Sequence, residues 1–595
     1  MNRHASLPMP AFDATAGRAP AARPSSSWLP WAIVAVVVGG YSLTLAVNHT
    51  EGEDSGHYIE VVRNTNVGEL FYPNHVLFAS FNWVVYKAWQ LAGYAGDAAV
   101  PMQLNNVIAA AVALLLLFRI AQRLGMADFH AVLCVAATAV SYGFWWYAVE
   151  AETYILPLPF ILLCVLMLLN LAERPFAVRT FFALGCVFSL AVLLHQQHVL
   201  LMPILIAAIG GAWHRRRATI PTTAAVGDLT VFVATSAAII GCVYVAAAVF
   251  AGDCGSFAEI VEWSKGTARN GLWTPWSFTN PIKSAVGIVR TVCGLHFLYG
   301  FDTFHNTMAG AFPDRFLADD RFLAESIAPP VRWLCLGTAL LAATSGMAAA
   351  AGSVFPLRHN RNTAAVNADA RFAFWMFAAG TMIAYAVFNT LWEPQNIEFW
   401  VMLLPIAWLA ATLRLAEPET PRWANWAAVA FVVLLMITNL LGSVRPQNAR
   451  EGDYWYAANE YLIREARPAD LIVTDGGWIS DNCLRTNTRA SVVSVRKTRP
   501  AELAEIIGRH RDGRVFISSW ALKPDEAIVA VTPHADRDEA ALSLVFEPIR
   551  GRLVKLDDNG FQVIWELRPK KGTGTVGKRL NHFKTRLSTE PVPIF

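Results

Sequence analysis

The residues able to do chemistry are gathered in four polar stretches. The first, 48–78, reads NHTEGEDSGHYIEVVRNTNVGELFYPNHVLF and holds Glu51, Glu53, Asp54, His57 and His75. The second, 145–157, reads WWYAVEAETYILP and holds Glu150, Glu152 and Tyr154. The turn His195-Gln196-Gln197-His198 and the run NTLWEPQNIEFW at 389–400, with Glu393, Asn396 and Glu398, complete the set. Paired carboxylates suit the abstraction of a proton from a hydroxyl, because withdrawal from water lifts a carboxylate's pKa toward working pH. Trp and Tyr beside them offer flat walls on which the C–H faces of a sugar ring can pack. An acidic run by itself marks a solvated loop. Ionisable groups at the edge of a bilayer are costly, however, and so functional by default.

The surrounding chain supplies that bilayer. Of 595 residues, 55% are hydrophobic, 12% aromatic and only 16% charged, with a mean hydropathy of +0.38. This is too apolar for a soluble multidomain protein. A net charge of +3 at this size implies no nucleic-acid partner. The cysteines follow no C-x-x-C spacing, and Cys134, Cys164, Cys186, Cys242 and Cys335 lie inside apolar runs; only Cys254 and Cys483 fall where an oxidising compartment could pair them.

Basic residues between the apolar runs set an orientation. Residues 1–27, rich in Ala, Pro, Ser and Arg, read as a disordered cytosolic tail held inside by Arg3, Arg18 and Arg23. The run 28–47 reads as an uncleaved signal anchor. Later apolar runs return to Arg119 and Arg123, to Arg174 and Arg179, to Arg215, Arg216 and Arg217, and to Arg358 and Arg361. Taken together they predict about eleven spans, with the N-terminus inside and the C-terminus outside. That alternation puts all four polar stretches on one non-cytosolic face. Residues 72–94, with Trp83, Tyr86, Lys87, Trp89 and Tyr94, read as an amphipathic segment at the interface.

From 445 to 568 the composition becomes that of a soluble domain. Strand patterns at 470–474, 491–494, 514–518 and 561–567 alternate with helical patterns at 453–466 and 501–509, which predicts a small α/β domain on the non-cytosolic side. Asp475-Gly476-Gly477 after the first strand reads as a plain turn. Residues 569–595 read as a loosely ordered tail. The expected fold is therefore a mostly α, polytopic membrane helix bundle over 28–444 with a C-terminal α/β domain.

Asp54-Ser55-Gly56 after the first span, Tyr72-Pro73-Asn74-His75 leading into an apolar run, and Trp146 through Glu152-Thr153-Tyr154 resemble the membrane glycosyltransferases of the GT-C class. The likeness is greatest to the protein O-mannosyltransferase-like and aminoarabinose-transferase-like branches, and covers roughly the first 215 residues. The resemblance implies a transmembrane catalytic domain with its site in the first and second outer loops and a polyprenyl-phosphate-linked sugar as donor. Asp54 matches the first-loop acid that serves as base or positions the acceptor, with Glu53 beside it as an alternative. Glu152, with Glu150 as a nearby substitute, matches the acid of the second loop. The related branch shows a His-Pro-Pro-Gly run where this chain has Tyr72-Pro73-Asn74-His75.

A donor phosphate needs cations. Lys265 and Arg269 in EWSKGTARNGLW are the candidates, since Arg forks to phosphate oxygens and Lys supplies a point charge; a basic face meeting lipid headgroups is the other reading. His57, His75 and Tyr154 are placed in the substrate pocket; Glu393, Asn396 and Glu398 either line it or form the polar turn between two spans. His195 and His198, at i and i+3, could share a face and hold a divalent metal, for which the sequence identifies no third ligand. They serve equally as hydrogen-bonding groups toward substrate. No cofactor is assigned. The expected activity is inverting sugar transfer from the lipid-borne donor to an acceptor hydroxyl of a glycan, lipid or protein, in a bacterial inner membrane with the C-terminal domain periplasmic. A flippase for a lipid-linked saccharide, or a membrane-anchored binding module, are the alternatives.

Overall fold

The computed structural model describes residues 28–65, 67–266, 268, 276–312, 317–354, 368–523 and 539–568. Every apolar run read as a span is helical, but the helices differ in length. Six are long and apolar enough to cross a membrane on their own: Ala99–Arg123, Gln196–Arg215, Thr222–Phe250, Pro329–Ser353, Ala368–Trp392 and Arg422–Gln447. A seventh crossing is available if Asp128–Val140 and Tyr142–Val149, which meet at 65°, act as one. The remaining runs form the shorter helices Leu29–Ser42, Leu158–Glu173, Val178–Leu194 and Leu403–Leu415. The expected count of eleven thus becomes six helices that fit a multi-pass membrane protein, with four short ones packed among them.

The first run shows why length was lost. Its helix is 14 residues long, a rise of about 21 Å against a hydrocarbon core of about 30 Å. Past Ser42 the chain unwinds because its backbone finds other partners. Ala46 N–H donates to Val149 O, and the Val47 and Asn48 N–H groups both donate to Gln447 O. The apolar stretch ends not in a longer helix but in a strap that delivers the first polar stretch beside the second.

The bend between Asp128–Val140 and Tyr142–Val149 is built the same way. Ser141 is extended, with φ −63° and ψ 131°, so the helical ladder breaks there. A broken ladder leaves buried carbonyls to be satisfied. Asn439 Nδ2 donates to Val140 O at 2.8 Å and to Val292 O at 2.8 Å, while Ser141 Oγ accepts from Trp408 Nε1 at 2.9 Å. Every residue of the following helix, YGFWWYAV, is buried. That helix anchors the second polar stretch in the core.

The C-terminal sheet has the order β2-β1-β3-β5-β4, with β1 at Leu471–Thr474, β2 at Ser491–Ser494, β3 at Val515–Ser518, β4 at Leu553–Asp558 and β5 at Val563–Leu567. The first three are parallel, and β5 runs antiparallel to β3 and β4. Side-chain alternation sends Leu471, Val473, Val515 and Ile517 to one face, against Leu503 and Val545, and Ile472 and Phe516 to the other, against Leu462 and Leu484. β4 and the helix Glu539–Arg550 are additions to the pattern read from sequence. Cys254 and Cys483 are both free thiols.

Candidate functional site

The site is assembled around helix Ser55–Asn64, whose N-cap is Asp54. Two amides on helix Ala99–Arg123 fix what faces it. Gln103 Nε2 donates to Ala46 O at 2.8 Å, holding the strap. Asn106 Nδ2 donates to Glu150 O at 2.8 Å and Glu152 O at 2.7 Å, holding the second polar stretch. Ser55 Oγ then reaches Glu152 Oε1 at 3.3 Å. The two acidic loops are therefore in direct contact.

The 389–400 run brings its own acids to the same group. Asn396 Nδ2 donates to Glu393 Oε2 at 2.9 Å and to Glu398 Oε1 at 3.0 Å, clamping two carboxylates together. Asn389 Oδ1 accepts from Gln197 Nε2 at 2.8 Å, which ties this run to the His195–His198 turn. Glu53, Asp54, Glu152, Glu393 and Glu398 feel one another's charge. Crowded acids inside protein cannot all ionise.

Their environments separate them. Glu53 is solvent-exposed along its side chain but its carboxyl is enclosed by protein mass; that burial, followed by Glu393, Asp54, Asp319 and Glu51, pushes it up to about 8. Glu152 is 1% exposed; burial first, then Asp54 and Glu150, raises it well above the ordinary range. Glu398 is raised in the same way, by burial and then by Glu152, Glu393 and Asp54. Asp54 is raised by burial too, but His57, the hydrogen bonds from Trp478 and Tyr58, and Lys497 all pull it back down. Glu152, Glu393 and Glu398 are each offset by neutral hydrogen-bond donors, whereas Asp54 has, besides such donors, the positive charges of His57 and Lys497 beside it.

Aromatic and imidazole rings pack beside the acids. Tyr58 lies edge-on to His75, with ring centres 6.0 Å apart, and His75 is edge-on to His195 at 4.6 Å. Tyr154 packs 5.1 Å from His195 and 6.0 Å from Phe399. His198 Nδ1 pairs with Tyr385 Oη at 2.8 Å, and His195 Nδ1 accepts from Gln197 N at 3.3 Å. His75 is held neutral, by burial first and then by His195 and His198. The Nε2 atoms of His195 and His198 and Nδ1 of His75 are buried without hydrogen-bond partners.

Other residues fall outside this group. Glu150, fully buried, has both carboxylate oxygens on His49 Nδ1, at 2.8 and 2.9 Å, and so braces the loop. Lys265 is half exposed and pairs with Glu262 at 2.6 Å. Arg269 lies outside the described residues. Among the described residues His195 and His198 are not joined by a third ligand atom. Among the described residues the group whose ligand atoms all lie within 4.8 Å is Glu51, His296 and Asp320. There Arg290 Nη2 sits 3.1 Å from Glu51 and 3.8 Å from Asp320, supplying the positive charge that would otherwise fall to a cation.

Sequence reasoning missed the share of the site carried by the C-terminal domain. Trp478 Nε1 donates to Asp54 Oδ1 at 3.0 Å, and Asn482 Nδ2 donates to Glu53 O at 3.1 Å. The available signal was Trp478 directly after the Gly476-Gly477 turn; nothing in the spacing indicates that it meets Asp54 across 424 positions.

No family model matches the chain, and no curated protein does. Among solved structures it is similar to ArnT from Cupriavidus metallidurans bound to undecaprenyl phosphate, with 13% identity over 92% of this chain and 100% of that one and a TM-score of 0.47. The apo form of the same protein gives 14% identity over 91% and 99% of the two chains, also at 0.47. An oligosaccharyltransferase from Archaeoglobus fulgidus in complex with Zn and sulfate gives 11% identity over 86% and 70%, at 0.45.

Proposed function

We propose that this chain is a membrane glycosyltransferase that moves a sugar from a polyprenyl-phosphate-linked donor to an acceptor hydroxyl at the periplasmic face of a bacterial inner membrane. The observation that carries the reading is the contact between the acidic loops: Ser55, next to Asp54, hydrogen-bonds Glu152 at 3.3 Å beside Tyr58, Tyr154 and histidines. Asp54 is the base. It takes the proton from the acceptor hydroxyl; the oxygen forms its bond to the anomeric carbon as that carbon's bond to the phosphate oxygen breaks, and polyprenyl phosphate leaves with the electron pair. Attack opposite the leaving group inverts the anomeric configuration. Glu53, Glu152 and Glu398, whose environments favour the neutral form, can donate hydrogen bonds to sugar hydroxyls. This agrees with the motif resemblance, in which Asp54 and Glu152 occupy the acid positions of the two outer loops.

The test is transfer from polyprenyl-phosphate sugars by purified protein, with Asp54→Asn as the variant. The substitution keeps the side chain's shape and its bond with Trp478 but cannot accept a proton, so transfer falls by a hundredfold or more while the unfolding transition stays intact. Full activity of D54N removes Asp54 from the mechanism. Mass spectrometry of copurifying lipid provides the second reading: bound polyprenyl phosphate supports the donor assignment, and its consistent absence with an inactive protein favours the anchored-module alternative.

A further inference from the structure

The α/β domain meets the acids with its carboxyl edge. In the strand order β2-β1-β3 the strands following β1 are added on opposite sides of it, and the helices after β1 and β2 pack on opposite faces of the sheet; in open α/β sheets the crevice at such a reversal is the usual ligand edge. Gly477, at φ +79°, makes the turn from β1 into helix Gly477–Asn487, a conformation costly for any side-chain-bearing residue. The helix then lies along Ser55–Asn64. Thr486 Oγ1 donates to Gly56 O at 3.4 Å and Arg63 Nη2 to Arg485 O at 2.7 Å, so the docking does not depend on Trp478 alone.

On that edge, Lys497, just past β2, sits with Nζ 3.9 Å from the centre of the Trp478 ring, and the His57 ring lies 5.3 Å from the same indole. We infer that Trp478 is a positioning residue for Asp54: its indole N–H, carried by the C-terminal domain, fixes carboxylate oxygen Oδ1 and, with the hydrogen bond from Tyr58, sets the orientation in which the carboxylate meets the acceptor's proton. The inference deepens the transferase reading and rests on it for the identity of the reaction. Trp is a donor only and cannot compete for that proton. A donor held on the anion favours the anion. The charged and titratable groups facing Asp54 are Glu53 next to it, His57 and Tyr58 on its own helix, Glu152 from the second loop, Glu393 and Glu398 from the 389–400 run, and Lys497 from the domain. Only Trp478 among the domain's side chains is hydrogen-bonded to the Asp54 carboxylate in the described residues.

The experiment compares wild type, Trp478→Phe and Lys497→Met by infrared pH titration of the carboxyl stretch, with Asp54→Asn subtracted to isolate the Asp54 band. Phe keeps the ring and removes the N–H. The Asp54 midpoint rises by about one pH unit in W478F, and by less in K497M, which leaves the indole in place and tests the idea even if W478F misfolds. In the transfer assay the acid limb of kcat moves up with it, so activity drops about tenfold at low pH and recovers at high pH, while KM for the donor holds. Limited proteolysis checks that the domain stays docked. An unmoved midpoint in docked W478F, or in K497M should W478F misfold, overturns the inference even where D54N is inactive. A shifted midpoint with normal transfer by D54N upholds the positioning of Asp54 and rejects the transferase base instead.

Discussion

Replacing Glu53 by Gln tests the electrostatics of the grouped acids without reference to any substrate. The carboxyl has an ordinary value of 4.5 and is held at about 8 in the fold. An acid whose folded pKa lies above its unfolded one binds its proton more tightly when folded. The folded state is thus favoured fully below 4.5, and this contribution is lost as pH rises through about 8. At about 1.36 kcal/mol per unit the whole interval would come to about 5 kcal/mol. The side chain is solvent-exposed along its length, and solvent screening reduces that to roughly 1–2 kcal/mol. Gln is neutral at every pH. The stability of E53Q relative to wild type should therefore rise across the window, with E53Q the better by that amount at pH 8.5 compared with pH 4.5. Chemical or thermal unfolding in detergent, followed by intrinsic fluorescence at each pH, measures the difference. A gap that stays flat with pH, or that runs the other way, refutes the crowding of acids around Glu53.

Further substitutions probe the frame. Arg290→Met strands the buried carboxylates of Glu51 and Asp320 and should cost about 3–5 kcal/mol; adding Glu51→Gln should recover part of it in the same unfolding measurement. Asn396→Leu removes both amide bonds that clamp Glu393 and Glu398, and is expected to lower transfer several-fold, with the pH optimum displaced, as read from a pH–rate profile. Gly56→Val places a Cβ 2.9 Å from both Asn482 Cβ and Thr486 Oγ1; overpacking of about 1–3 kcal/mol should loosen the C-terminal domain, seen as faster proteolysis near residue 500.

The sequence made the acidic loops legible because their chemistry is local. A run such as GEDSGH cannot lie in hydrocarbon, and positive-inside bookkeeping sends both loops to one face without any knowledge of packing. Four stretches named for their composition do meet in the structure. What stayed hidden are the contacts set by chain paths. The unwinding of 43–47 depends on Gln447 and Val149 offering carbonyls, and the bend at Ser141 depends on Asn439 almost three hundred positions away. Lys265 reads as a phosphate or headgroup ligand from charge, and its pairing with Glu262, three residues back, was not legible from that reading. Nor does local sequence show that Arg290 and His296 are drawn inside by Glu51, 239 and 245 positions away.

The same burial that brings the acids together would silence all of them. Desolvation and mutual repulsion both favour the neutral carboxyl, so a group holding Glu53, Glu152, Glu393 and Glu398 is proton-rich at neutral pH unless some member is given compensation. Compensation reaches Asp54 from three directions: His57 and Tyr58 on its helix, the indole of Trp478, and the charge of Lys497. Two of these belong to the C-terminal domain. His57 and Tyr58 favour the Asp54 anion from within the bundle, and docking of the α/β domain adds Trp478 and Lys497 to them. For that reason loss of the domain contact should act on the acid limb of the pH profile before it acts on the stability of the bundle.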